Sequence, residues 1–512
     1  MESGKVGIIS NIDILKRSPL FIPTMVYLLG ILIGSRYYIE FKYLYKIVLF
    51  VIPIVIFILK RGYRKRGFPT DTLLPALLYI SLLFAGWINI GTSGFLKMRS
   101  EYSKVAYIES LETNCKISGT IIEKARSIQA EVTLVDFKEK MLLYIDKKIG
   151  VESIGIGDTL QCLIKPKRIR NYPGSTFDYI RYMEERGVFC TSYVKATDLI
   201  IKKVRNPTLL ERVSRLREWY VKSLIKGNNS QESGILVSLT VGDKSHISSD
   251  TRESFSKAGT MHLMAVSGLH ISFIFAFVSA LFSLLGKGRN GMIMKFLISS
   301  IFIWGYSALV GFSLSTIRAS IMATVFELSS ITERNGSGLN ALSLSALIIT
   351  LIKPQSLFDL GFQLSFSAIL SIIFIYPYLN NLLLSGKKLF KYIWNILAMS
   401  IACQIGTSLI TISNFNTIPV YFLLTNVIAI PLSGIILYIA LLHALAMCVG
   451  FHADLIMGIL LYLTQFLGWI MERVEALPFS TINCSLNNLQ AGIVLFFFVV
   501  IFFYIPKNFT KK

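Results

Sequence analysis

The sequence predicts an α-helical multi-pass membrane protein with an inserted, extracytoplasmic small β-barrel domain of the OB-like type. Three observations carry that fold class. Of 512 residues, 53% are hydrophobic and only 16% charged, whereas soluble domains run near a quarter charged. The apolar residues gather into runs long enough to cross a bilayer. One stretch, Lys97 to Ser230, breaks the pattern with 25 Lys or Arg against 16 Asp or Glu, or +9, and contains no spanning run.

Residues 1–96 hold three apolar runs, roughly 20–35, 44–59 and 73–90. Nothing before Leu20 has the pattern of a cleaved signal peptide, so the first run is expected to be retained. Between the second and third lies KRGYRKRG (Lys60 to Gly67), with five positive residues and no acid. Basic loops stay in the cytoplasm, so this one faces inward and the polar domain, one span further on, faces outward.

Residues 97–205 read as β. The runs 117–126, 130–137, 140–146, 158–166 and 188–194 are short and rich in β-branched and aromatic residues, with turn residues between them. Five such strands suit a small OB-type barrel, and a generic β domain bracing the helices fits the same letters. The stretch Lys165 to Gly187 interleaves Lys165, Lys167, Arg168, Arg170, Arg181 and Arg186 with Tyr172, Phe177, Tyr179 and Tyr182. Cations and stacking rings are what single-stranded nucleic acid needs. A solvated charged turn followed by packing aromatics has the same composition. Cys115, Cys162 and Cys190 fall in this domain, where an extracytoplasmic setting permits a disulfide. Cys115 with Cys162 would join the start of the barrel to a later strand, although spacing alone does not choose among the three pairs. No CxxC occurs, and no metal site is expected.

Residues 206–259 form a linker of amphipathic helices. Leu209, Val213, Leu216 and Tyr220 lie at helical spacing with Arg212, Arg215 and Arg217 alongside. That pattern fits a helix on the membrane surface, in contact with lipid, or a connector packed on the bundle. From residue 260 to 506 there are 10 basic and 6 acidic residues in 247 positions, which is bilayer composition. Nine spans are expected there, at roughly 268–286, 292–310, 317–331, 339–352, 358–380, 393–413, 421–450, 454–472 and 491–506, making twelve in all. The acid-free basic loops at 286–291 and 385–391, and the tail 507–512, should face the cytoplasm.

The densest polar cluster near the membrane holds Asp243, Lys244, His246, Asp250, Arg252, Lys257, His262 and His270. His262 and His270 are eight apart with no Glu in phase, unlike HExxH; Ser267 lacks the GxSxG frame; and GDKS at 242–245 lacks the GxxxxGK of a phosphate loop. No catalytic residue and no cofactor is assigned. What remains is a helix broken by Ser267 and Gly268 at the mouth of a span, where a freed helix end could meet a solute, or a satisfied helix start. Within the bundle, Arg318 must face protein or water, because a central charge costs about 2.5 to 3.5 kcal/mol on insertion. Asp359 and Gln363, four apart, are expected on one helical face with Ser367. Glu327, Gln404 and Asp454 are further candidates; snorkelling or helix pairing explains any one of these residues, and their number favours a polar cavity.

NYPGSTFDYIRYMEERGV, LTVGDKSHIS, AGTMHLMAVSGLHISFI, LSTIRASIMA and DLGFQLSFSAI follow one another across about residues 20–506, and in that order they resemble the signatures of the ComEC family of bacterial competence channels. The resemblance implies a cytoplasmic-membrane protein that imports one strand of DNA during natural transformation, with an external OB-like domain. It implies that Asp243, His262, Ser267, Gly268, His270, Arg318 and Gln363 lie at the translocation path or gate, and Asp359 is taken with Gln363. The family's metallo-β-lactamase-like domain, with its HxHxDH cluster, has no counterpart in these residues. The expected partners are therefore single-stranded DNA, a separate DNA receptor, a cytoplasmic motor or strand-capturing protein, and a separate nuclease. Each phosphate moving inward opposes about 2.3 kcal/mol per 100 mV. A transporter or channel for a small or lipid-linked solute is the alternative. The 52 Lys plus Arg against 30 Asp plus Glu give +22, shared between the external domain and cytoplasmic loops.

Overall fold

The computed structural model describes residues 14–37 (except 16), 70–92 and 108–484. Within the last range it omits 124–126, 138, 151–152, 172–178, 185–187, 205–206, 226–229, 283–287, 332–337, 383–387 and 452. The helices are α1 (Phe21–Arg36), α2 (Thr70–Thr92), α3 (Tyr179–Glu184), α4 (Leu209–Ile225), α5 (Gln231–Val241), α6 (Ser249–Lys257), α7 (Gly268–Leu281), α8 (Arg289–Leu309), α9 (Leu314–Ile331), α10 (Gly338–Ile352), α11 (Leu360–Phe374), α12 (Tyr376–Asn381), α13 (Lys388–Phe415), α14 (Phe422–Cys448) and α15 (Asp454–Glu475). The strands are β1 (Leu111–Glu123), β2 (Ser127–Leu134), β3 (Lys140–Asp146), β4 (Thr159–Ile164), β5 (Lys167–Arg168), β6 (Val188–Val194), β7 (Leu199–Lys202), β8 (Thr417–Pro419) and β9 (Thr481–Asn483). Every expected span that falls on described residues holds a helix. The segments 44–59 and 491–506, and the tail 507–512, lie outside them. Among the described residues six helices are long and apolar enough to cross a membrane, α11 being counted together with α12, while α1, α7 and α10 are shorter but apolar.

The chain forms two compact units. In the first, α1 and α2 approach backbone to backbone. Gly30 and Gly34 stand one turn apart in a GxxxG pattern, and a Cβ on Gly30 would lie 2.0 Å from the Leu83 carbonyl oxygen. Small residues permit such contact where no hydrophobic effect drives helices together. Asn89 Nδ2 donates to the Tyr27 hydroxyl at 2.6 Å and to the Thr350 carbonyl at 3.0 Å, closing the polar groups of α1, α2 and α10 on one another.

The second unit contains the sheet, ordered β5-β6-β3-β2-β1-β4-β7. Alternation builds its core: Ile128, Ala130, Val132 and Leu134 of β2 point inward, with Met141, Leu143, Leu160, Cys162 and Cys190 facing them. β3 runs parallel to β6, and the other ladders are antiparallel. The barrel expected from the strand pattern is not closed. Among the described residues β5 pairs only with β6 and β7 only with β4, leaving two edges. On the other face α3 covers β3, burying Leu142 with Ile169, Met183 and Val188.

Asp158, just ahead of β4, has a side chain 1% exposed. It accepts from Lys203 Nζ at 2.8 Å, the Gly155 amide at 2.9 Å and the Val204 amide at 3.1 Å. Burial alone would push its carboxyl up, but these donors and the Lys203 charge more than offset that and hold it below the usual carboxylate range. α4 then begins with a capping box: Thr208 Oγ1 accepts from the Glu211 amide at 3.4 Å, and Glu211 accepts from the Thr208 amide at 2.8 Å. Glu211 also takes Lys116 of β1 at 2.8 Å, and Arg215 stands 3.8 Å from Asp158. α4 thus seats on the sheet at one end. At the other, Tyr220, Val221 and Leu224 enter the helical core and the Tyr220 hydroxyl donates to the Ala440 carbonyl at 2.7 Å. It is a connector packed on the bundle, although Leu209, Leu216 and Trp219 stay exposed.

Asp158→Asn loses the charge-assisted bonds and should destabilise the sheet by about 2 kcal/mol, read as faster amide exchange in β1 and β4. Because the folded pKa is depressed, this stabilisation is full above the unfolded value near pH ~4 and is lost as pH falls through the folded one. Unchanged exchange in the variant would contradict this account of the joint.

Candidate functional site

The second unit brings three separate polar strings together. The first follows α5, a helix whose residues from Ser233 to Val241 are all buried. It ends at Gly242 in the left-handed region (φ 75), where a Cβ would lie 3.0 Å from Val266. That turn presents Asp243, whose Oδ1 accepts from the amide and hydroxyl of Ser245 at 3.0 and 2.6 Å. The Asp243 Oδ2 atom stands 3.6 Å from Nη2 of Arg217 on α4.

The second string is the turn into α7. Leu263 and Met264 are buried, and the Ser238 hydroxyl donates to the Met264 sulfur at 2.8 Å. His262 is exposed at this turn. Ser267 caps α7: its Oγ accepts from the Leu269 amide at 3.3 Å, while the Ser267 amide donates to His270 Nδ1 at 3.2 Å. This is a capping box with histidine where Glu or Gln is usual. The His270 ring is buried near the Leu239 carbonyl of α5. Its Nδ1 accepts from the Ser267 amide and so is the bare nitrogen of the ring.

The third string precedes and opens α9. Gly311 and Phe312 have φ of 83 and 50, so the chain reverses sharply after α8. The Ser315 hydroxyl then donates to the Val266 carbonyl, and Ser313 and Thr316 bond each other at 2.9 Å. Gly268 faces Ala319, a Cβ on it lying 3.9 Å away, and the adjacent Arg318 is 5% exposed. Tyr306 of α8 closes the ring by donating to the Thr240 carbonyl at 2.9 Å. Asp243, Ser267, Gly268 and His270 thus share a neighbourhood with the start of α9. Below it, Glu475 accepts from Lys257 at 2.9 Å and from the Ser254 hydroxyl, tying α6 to α15.

Two expected residues lie elsewhere. Asp359 and Gln363 belong to the first unit. Asp359 does not sit inside a helix with Gln363. Its ψ of 124 makes it the N-cap of α11, with Oδ1 accepting from the Gly361 amide at 3.2 Å, because the preceding 3-10 turn Pro354–Phe358 ends there. Gln363 donates to the Leu357 carbonyl at 3.2 Å. In the sheet domain Lys165, Lys167, Arg168 and Arg170 are exposed, and Tyr179 packs partly buried beside Leu142 and Met183. Tyr172 and the side chain of Arg181 lie outside the described residues. Cys115 and Cys162 are neighbouring thiols, Sγ atoms 3.9 Å apart. Among the described residues no three His, Cys, Asp or Glu side chains converge as metal ligands.

A family model described as "Competence protein" matches residues 239–508. This chain is a ComEC-family competence protein. All three strings of the polar neighbourhood fall inside the matched segment. The chain is similar to ComE operon protein 3 of Bacillus subtilis (strain 168), 27% identical over 299 residues that cover 57% of this chain and 35% of that relative. It is also similar to the uncharacterized protein YcaI of Escherichia coli (strain K12), 21% identical over 263 residues, 49% of this chain and 34% of that one. The matches thus span about a third of each curated relative's length. No solved structure matches. Sequence reasoning missed Arg217 and Ser315 as members of this ComEC-type neighbourhood. A left-handed glycine precedes each string, Gly242, Gly259 and Gly311, and marks a turn there.

Proposed function

We propose that this protein is the channel through which single-stranded DNA crosses the bacterial cytoplasmic membrane during natural transformation. The observation that carries the reading is the convergence of the GDKS, HLMAVSGLHIS and LSTIRA strings, far apart in sequence, on one polar neighbourhood inside the competence-family segment. Asp243, His262, Ser267, Gly268, His270 and Arg318 form the path or gate in this reading; Asp359 and Gln363, which belong to the first unit, are assigned to it by the family resemblance of their sequence alone. Ser267 and His270 hold the α7 start open as a helix end rather than acting chemically. The loop signs support the sheet domain outside and the tail in the cytoplasm.

The sheet domain serves as an external docking surface through Lys165, Lys167, Arg168 and Arg170, with Tyr172, Tyr179 and Arg181 nearby in sequence. Its OB-like character is supported by a parallel β3–β6 pair and by the Lys165 amide, just past β4, donating to Ser192 of β6 at 2.9 Å, so the sheet curls toward itself. A DNA receptor, a cytoplasmic motor or strand-capturing protein, and a nuclease complete the pathway as separate partners. Uptake of labelled DNA is expected to vanish in a deletion strain and to stay lost when the complementing gene carries Arg318→Ala at normal protein level. Normal uptake in the deletion would sink the DNA reading, and full rescue by Arg318→Ala would remove that residue from the path.

An outside sheet domain also places Cys115 and Cys162 in an oxidising compartment, with their sulfurs already in contact on the inward face of β1 and β4. Peptide mapping of protein recovered from cells under non-reducing, thiol-blocked conditions should find them joined. Both thiols trapped free would refute the bridge.

A further inference from the structure

Arg217 is unlike the other arginines of α4. Arg212 and Arg215 sit at exposed positions, but the Arg217 side chain is only 13% exposed. Its Nη1 lies against the Gly311 turn, where a Cβ would stand 3.6 Å from it. Its Nη2 faces Asp243 at 3.6 Å, an ion pair beyond hydrogen-bond length. Its Nε is buried and has no hydrogen-bond partner among the described residues. The Nε and Nη2 edge of a guanidinium is the fork that grips two oxygens of a carboxylate or phosphate at once. Here that fork is desolvated, charged and unfilled.

Asp243 does not fill it, for a geometric reason. Its Oδ1 is held by both the amide and the hydroxyl of Ser245, which draws the carboxylate back into its own turn. In the turn that follows Asp243, Arg252 donates to the Lys244 carbonyl, and desolvation with the Arg252 charge lowers the Lys244 pKa. Glu218, on α4 with Arg217, meets the Arg217 charge as well, and burial raises its pKa. A buried fork edge that no oxygen fills within hydrogen-bond length suits an oxyanion able to reach both nitrogens at once.

We infer that Arg217 is a phosphodiester contact of the conduit, shielded at rest by Asp243, and that each passing backbone phosphate displaces Asp243 and takes both Nε and Nη2. The inference rests on the DNA reading of this neighbourhood and adds to it the residue that meets the substrate's charge. No bond is made or broken. Asp243 acts as a gatekeeper that balances the Arg217 charge between phosphates, and its carboxylate returns when the phosphate leaves. A contact with such a built-in competitor binds weakly enough to release, which conduction requires.

The test uses the full chain in nanodiscs of neutral lipid and a fluorescent oligothymidine, with binding measured across a salt series. For single strands, each phosphate neutralised contributes about 0.7 to the slope of log Kobs against log salt. Arg217→Ala should flatten that slope by about 0.7, while Arg217→Lys, which keeps the charge, should retain it. Asp243→Asn should tighten binding, because the competitor is gone. An unchanged slope in a folded Arg217→Ala protein overturns the inference. If that variant fails to fold, unchanged or weakened binding by Asp243→Asn overturns it instead. Absence of oligothymidine binding by the unaltered protein would fell the DNA reading and this inference with it, whereas binding that ignores both substitutions fells this inference alone.

Discussion

The lack of water in a bilayer governs this molecule. A polar group placed among spanning helices must find its partner within the protein. In the second unit that rule has one consequence after another. Ser267 can break the chain at the start of α7 because its own hydroxyl and the His270 ring satisfy the exposed amides. The Tyr306 hydroxyl finds the Thr240 carbonyl of α5. Ser315 can leave the α8–α9 reversal because the Val266 carbonyl receives it. The last two pairings join segments distant in sequence, so satisfying these polar groups and assembling the neighbourhood are the same event.

α4 extends that arrangement to the sheet. Glu211 and Arg215 lie against Lys116 and Asp158 at one end, and Arg217 and Tyr220 reach Asp243 and Ala440 at the other. The sheet-side pairs are partly exposed, and such pairs contribute little individually. Their importance is positional. A helix clamped on a rigid sheet by a capping box and a buried carboxylate holds Arg217 at a fixed height beside the Asp243 turn.

Where periodicity carries the information, the sequence was legible. The strands alternate between a packed and a wet face, so five runs could be read directly, and the apolar segments matched helices wherever residues are described. Closure of the sheet was not legible, since it depends on two-residue β5 and on β7, whose pairings are tertiary. α5 escaped because it is buried on all sides, and a helix without a polar face leaves no amphipathic signal. Asp359 was misread as a helical position because its spacing to Gln363 is helical, but it lies one residue before the helix begins. By spacing Arg217 stands alongside the apolar positions of an amphipathic helix, as Arg212 and Arg215 do. Its partner comes from another part of the chain, and no local pattern announces that.

The central claim is that the Ser267 turn and its neighbours line a water-accessible path that single-stranded DNA enters. The most direct measurement introduces one cysteine at His262, Ser267 or the buried Ser299 of α8 into a protein whose native cysteines have been replaced. Each variant is then labelled with a membrane-impermeant thiol reagent, with and without oligothymidine. The account predicts labelling at His262 and Ser267 that DNA suppresses, and none at Ser299. Labelling at the two path positions that DNA leaves unchanged, or no labelling there at all, would contradict it.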